Sequence, residues 1–109
     1  DAQFFPAEYK VGKRWKLRMH ITTDAFEDDL DLDAVVAARE AVTVGAGEFQ
    51  VFRVEIGGYD KMRRRYAWTY WMHPRYGMPI RWTEARYNPR GQVRKSVDFE
   101  LISLRAPRG

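Results

Sequence analysis

From Arg14 to Ile21 the chain alternates without a break, with Trp15, Leu17, Met19 and Ile21 on one side and Arg14, Lys16, Arg18 and His20 on the other. A helix repeats every 3.6 residues and would scatter these two sets around its circumference. A strand repeats every two and separates them onto opposite faces. The segment therefore reads as a half-buried strand, which obliges the chain to supply hydrogen-bonding partners for its edges and a cover for its apolar face.

The partners follow. Residues 1–12 read as an extended lead-in ending at Gly12, with Phe4, Phe5 and Tyr9 tucked against the body. Residues 22–33 are acidic, with Phe26, Leu30 and Leu32 as apolar anchors, and read as a long loop. Between Val35 and Val44 the alanines, Arg39 and Glu40 favour helix while the valines and Thr43 favour strand. The need for a pairing partner decides for strand, with Val36, Ala38, Val42 and Val44 on one face. Further strands are expected over Phe49–Ile56, Arg65–Met72, Ile80–Tyr87 and Val93–Leu104, the last with Val93, Val97, Phe99 and Leu101 inward. The breaks at Gly45–Gly47, Gly57–Asp60, His73–Pro79 and Asn88–Gly91 are turn chemistry. The expected fold is mainly β: one domain over 1–109, a single curved antiparallel sheet of about six or more strands, half-barrel or open barrel, with little helix.

Composition narrows the chemistry. With no cysteine among 109 residues, disulfide frameworks, thiolate metal sites and thiol nucleophiles are excluded. No apolar run reaches the ~20 residues of a membrane-spanning helix. The chain opens on Asp1 where a methionine is expected, which reads as a trimmed end. The net charge of +4 hides a division: Asp24–Asp33 holds six acids and no base, leaving nine acids against nineteen bases elsewhere. Lys61–Lys95 alone carries ten bases and one acid, Glu84. A basic surface of this kind suits anionic partners.

Several constellations bear on chemistry. Asp29, Asp31, Asp33 and Glu40 fall at positions 1, 3, 5 and 12 of a calcium-loop template, but Ala34 stands where the loop needs glycine, so a metal is the weaker reading there. His20 and His73 lie on different elements, and no cofactor is called for. Neither Ser96 nor Ser103 sits in a nucleophile elbow. Glu84, Asp98 and Glu100 read as ion-pair partners of Arg81, Arg86 and Arg94, and the chain is expected not to be an enzyme. The run Arg63–Trp71 interleaves bases with aromatics, as single-stranded nucleic-acid binders do, without their sheet motif.

The segments Tyr9–Trp15 (with Gly12 and Trp15), Glu40–Phe49, Tyr70-Trp71 with Pro74 and Gly77, and Glu100-Leu101 follow one another in order. Together they resemble a group of bacterial exported proteins of unknown function with the pattern G-x-x-W, E-x-V-x-V-x-A-G-x-F, Y-W-x-x-P-x-x-G, E-L. Gly45 departs from it, since proline is common there, and the acidic stretch Asp24–Asp33 is not part of it. The resemblance implies a periplasmic or cell-envelope location and a curved half-barrel like that of periplasmic lipoprotein carriers. It implies no activity.

These readings converge on a non-enzymatic exported module. Tyr66, Trp68, Tyr70, Ile80, Trp82 and Phe99 would line a concave face holding a lipid-like or other amphipathic ligand or a partner protein, with Arg81 or Arg86 at the rim for an anionic headgroup. The alternatives are nucleic acid or acidic polymer on the Arg-rich face, and a calcium-dependent contact through the acidic segment.

Overall fold

The structure is a computed structural model in which residues 8–22, 24–25 and 27–104 are described. Six strands follow one another: β1 (Arg14–Thr22), β2 (Glu27–Val44), β3 (Gly47–Tyr59), β4 (Arg65–Met72), β5 (Pro79–Tyr87) and β6 (Val93–Glu100). Each pairs antiparallel with the next, so sequence order is sheet order and β1 and β6 form the two edges of one unclosed, curved sheet. The described part holds no helix. The Cα radius of gyration of 15.4 Å and the 47 × 27 × 27 Å extents mark an elongated body, against the ~13 Å typical of a compact domain near this length. Phe4, Phe5 and Phe26 lie outside the described residues. Tyr9 does pack on the body, its ring stacked on Phe52 at 5.6 Å.

The acidic segment is not a loop. From Glu27 onward it forms the first half of β2, an 18-residue strand. Its composition is polar, yet its alternation is that of β1: Leu30, Leu32 and Ala34 point inward, exposed by 0%, 2% and 2%, while Asp29, Asp31 and Asp33 point outward. The register sets Leu17 opposite Leu32 and Met19 opposite Leu30. On the outer face it sets Lys16 against Asp33 at 3.8 Å and Arg18 against Asp31 at 3.4 Å. The bases of β1 and the acids of β2 are two halves of one cross-strand ladder.

Halfway along β2 the register slips between Val36 and Ala38, leaving Ala37 as an extra residue. Because side chains alternate with period two, one inserted residue exchanges the faces of everything that follows. Val36 faces inward opposite Val54, but beyond the bulge it is Arg39 that faces Phe52, its guanidinium 5.6 Å from the ring. Val42 and Val44 turn to the outer face, so the expected single face of Val36, Ala38, Val42 and Val44 is split. The sheet consequently has two cores. The larger, on the inner face, joins Leu17, Leu30, Leu32, Ala34, Val36, Val54, Ile56, Tyr66, Trp68 and Met72. The smaller gathers Val44, Val51 and Ile80 with Val42, Phe49, Trp71, Met78 and Leu101 around them. It is closed by a bond from the Ala46 N–H to the Leu101 carbonyl, 3.0 Å long, which ties the β2–β3 turn to the segment after β6.

The last strand ends at Glu100, short of the expected Leu104, and it is an exposed edge: Val93, expected inward, is 60% exposed, and Phe99 shares the inner face with Trp82 as expected but is 44% exposed. Among the described residues no strand pairs with the free edge of β6.

One position tests the β2–β3 pairing directly. Gly58 lies opposite Leu32, and a Cβ there would collide with the Asp31 carbonyl oxygen and stand 2.9 Å from the Leu32 side chain, whereas at Gly57 the nearest atom is 3.4 Å away. Gly58→Ala is expected to cost ~1–3 kcal/mol, as overpacking does, with Gly57→Ala near neutral. Chemical denaturation of the two variants side by side checks this, and equal midpoints would contradict the register.

Candidate ligand-binding site

The β3–β4 turn is built by one carboxylate. Asp60, with its side chain fully buried, accepts hydrogen bonds from the Met62 N–H (2.9 Å), the Arg64 N–H (3.0 Å), the Arg64 Nε–H (2.7 Å) and the Tyr66 hydroxyl (3.2 Å). Burial works to raise its pKa, but the Arg64 amide and guanidinium and the Tyr66 hydroxyl outweigh it and hold the group below the usual carboxylate range. Tyr66 is moved the other way, up, by burial first and by the Asp60 charge second. Asp60 thereby places Arg64 and Tyr66 at the start of β4.

Alternation along β4 and β5 then decides which of the expected lining residues meet. Tyr66, Trp68 and Tyr70 face inward, opposite Arg86, Glu84 and Trp82, and Trp82 in turn lies opposite Phe99. Tyr66 and Trp68, only 3% and 8% exposed and stacked at 5.9 Å, are part of the filled inner core and not an open wall. Tyr70 is half-buried beside them. Trp82 and Phe99 stack at 4.6 Å with their planes 16° apart, and here the inner face opens to solvent.

Two residues leave the expected set. A register slip between Trp71 and Met72 makes Ile80 the extra residue of β5, and Ile80 is buried in the second cluster with Trp71. Arg81 lies opposite Trp71 on the outer face, where Asp98 takes its Nε and Nη2 at 3.1 and 2.8 Å and its guanidinium lies 4.9 Å from the Trp71 ring. It is not at the rim of the aromatic face.

Arg86 is. It lies 5.4 Å from the Tyr66 ring and contacts Glu84 through Nε at 3.0 Å. Around it Arg64, Tyr66, Tyr87, Arg94 and Lys95 enclose a cleft of ~310 Å³. Arg94 and Lys95 are neighbours in sequence, and in an unbroken strand they would point apart. A third register slip, between Arg86 and Tyr87, sets both against the same cleft. The sequence analysis missed Arg64, Arg94, Lys95 and Tyr87. The signal available was the density of bases in Lys61–Lys95, without the bulge that gathers them.

The acidic candidates do not form a calcium loop. Asp29, Asp31 and Asp33 lie along an extended strand, and the first two residues of the template pair with His20 and Arg18. Asp33 faces Lys16, while Glu40, past the bulge, contacts Arg53 at 3.2 Å and accepts from Trp71 Nε1 at 3.1 Å. Among the described residues no group of three His, Asp or Glu is arranged to hold a metal. An extended backbone cannot wrap its ligands around one ion.

The comparisons with known proteins name no relative: no family model, no curated protein and no solved structure matches the chain.

The two histidines differ in kind. His20 sets Nδ1 against Asp29 at 2.6 Å and Nε2 against Glu27 at 2.7 Å, so both nitrogens must donate and the ring is held as imidazolium; the bonds to Asp29 and then Glu27 raise its pKa. His73 instead accepts the Arg75 and Tyr76 N–H groups at Nδ1, 3.0 and 3.2 Å away, and burial followed by the Arg75 charge lowers its pKa. In an NMR titration His20 is expected to lose its proton above the ordinary histidine range and His73 below it. The His20 contribution to stability is complete below its unfolded pKa and fades as pH rises through its folded one. Asp29, whose pKa its bond to His20 lowers, contributes above its unfolded pKa and loses that as pH falls through its folded one. Reversal of the two histidines in the titration would overturn these pairings.

Proposed function

We propose that this domain is a non-enzymatic binding module whose apolar or amphipathic ligand lies on the β5–β6 part of the inner face, with Tyr70, Trp82 and Phe99 as its platform and Arg86 at its rim. The observation that carries the reading is the Trp82–Phe99 stack, which presents aromatic surface to solvent beside the buried Tyr66 and Trp68. Adjoining aromatic rings that form one exposed apolar surface mark contact sites, whereas single exposed rings do not. The sealing of Tyr66 and Trp68 narrows the platform from the whole face to its open end. A bacterial envelope setting belongs to the same reading and rests on the likeness of the Glu40–Phe49 and Tyr70–Gly77 segments to exported proteins. No catalytic role is assigned: Glu84 and Asp98 each pair with an arginine.

The test uses a neutral apolar fluorophore, N-phenyl-1-naphthylamine. Saturable binding is expected, unchanged between ~50 mM and ~500 mM salt, because screening acts on charges and not on apolar contact. Trp82→Ala with Phe99→Ala is expected to weaken it roughly tenfold or more, the equivalent of ~1.5–3 kcal/mol of lost aromatic contact. Both residues lie on the exposed β5–β6 flank, so the variant should remain folded by circular dichroism. Absence of saturable binding to the folded wild-type protein would overturn the proposal.

A further inference from the structure

The cleft beside this platform has a definite charge. Four cations line it: Arg64 from the β3–β4 turn, Arg86 from β5, and Arg94 and Lys95 from β6. Two carboxylates answer them. Asp60 engages Arg64 at 2.7 Å and Glu84 engages Arg86 at 3.0 Å. Among the described residues Arg94 and Lys95 are in no ion pair, so the group retains two positive charges. Glu84 contacts Arg86 through Nε, on one edge of the guanidinium.

Neither the convergence nor the imbalance is an ordinary feature of a wet strand face. On the outer face each β1 base from Lys16 to His20 has an acid opposite it. At the cleft the bases come from three elements and are brought together by the Asp60 turn and by the β6 bulge, and acids answer only half of them. The walls supply more than charge. The Tyr66 ring lies 5.4 Å from the Arg86 guanidinium, so an aromatic face backs one of the cleft's cations.

We infer that this cleft binds a dianionic oxyanion, a phosphate monoester or a group of equal charge, at Arg86, Arg94 and Lys95. Guanidinium groups match the oxygen geometry of phosphate and can bind it through two parallel hydrogen bonds. A phosphomonoester carries close to two negative charges near neutral pH, which equals the unanswered charge of the cleft. The inference deepens the proposed function, because it rests on the adjoining platform being a ligand surface and names the headgroup that ligand carries. The Arg86–Lys95 pair stands four residues along the strands from the Trp82–Phe99 pair, ~13 Å at the rise of a strand. A molecule with a phosphate at one end and an apolar portion reaching that far would touch both. A free phosphate ester would touch the cleft alone.

Calorimetry and amide chemical-shift mapping near neutral pH, with phenyl phosphate and with dimethyl phosphate, test the inference. Phenyl phosphate is expected to shift the Arg86, Arg94 and Lys95 amides and to bind at least tenfold more tightly than the singly charged diester. Arg94→Ala with Lys95→Ala, both exposed on the edge strand, is expected to abolish that preference while leaving N-phenyl-1-naphthylamine binding intact. Equal affinity for the monoester and the diester, or monoester binding that survives the double variant, would overturn the inference even where the neutral fluorophore still binds. Loss of fluorophore binding alone, with phosphate retained, would strike the platform and leave the cleft standing. Dihexanoyl phosphatidic acid separates the two sources. Tighter binding than phenyl phosphate, with the gain removed by Trp82→Ala, supports a lipid headgroup, and equal binding supports a free ester.

Discussion

Among the described residues the single sheet has neither a helix nor a second sheet against it and buries its apolar surface on itself, and the extra residue in β2 is what allows it to do so. Before Ala37 the apolar side chains of β2 serve the inner core with Leu17, Ile56 and Trp68; after it they serve the outer one with Val51 and Ile80. The long β2–β3 hairpin thus contributes to two cores on opposite sides of the same sheet. Two further slips, in β5 at Ile80 and in β6 at Arg94, work by the same geometry on a smaller scale. One buries an isoleucine that strict alternation would have left among the inner aromatics, and the other brings two adjacent bases to one cleft.

Charge is organised by the same pairing. The acids of β2 stand opposite the bases of β1, so the first hairpin neutralises its own outer face. Such exposed pairs contribute little to stability individually, but they engage Glu27, Asp29, Asp31 and Asp33, four of the acids of β2. The excess of positive charge in the chain is left to β4, β5 and β6 and to the turns between them. There the inner face is also least covered, so aromatic surface and unanswered cations occur side by side.

Alternation was readable wherever it ran unbroken. Trp15 to Ile21, Phe52 to Ile56 and Tyr66 to Tyr70 face as their spacing requires, and the turns at Gly12, Gly47 and Gly91 adopt positive φ values of 93°, 129° and 83°. The stretch Asp29-Leu30-Asp31-Leu32-Asp33 carries the same period, although its acidity by itself suggests a loop. Its leucines are among the most buried residues in the molecule. Of the expected ligand face, Trp82, Phe99 and Arg86 stand at the open end, Tyr70 borders it, and Tyr66 and Trp68 are sealed within the core. Ile80 fell to the other face through the slip between Trp71 and Met72, while Arg81 lies there by plain alternation with Trp82.

What the order of residues determined by itself was local and periodic: which segments extend, where they turn, and that the result is one antiparallel sheet. A period of two is a property of neighbours in the chain, and no knowledge of the partner strand is needed to recognise it. Which face each side chain finally serves was decided only in three dimensions. A bulge is defined by two residues of one strand opposing one of another, so Val42, Ile80, Arg94 and Lys95 acquire their positions from the register with the neighbouring strand, which the spacing within their own segment does not contain. The cores and the cleft both depend on those positions, and neither exists until the ladder has closed.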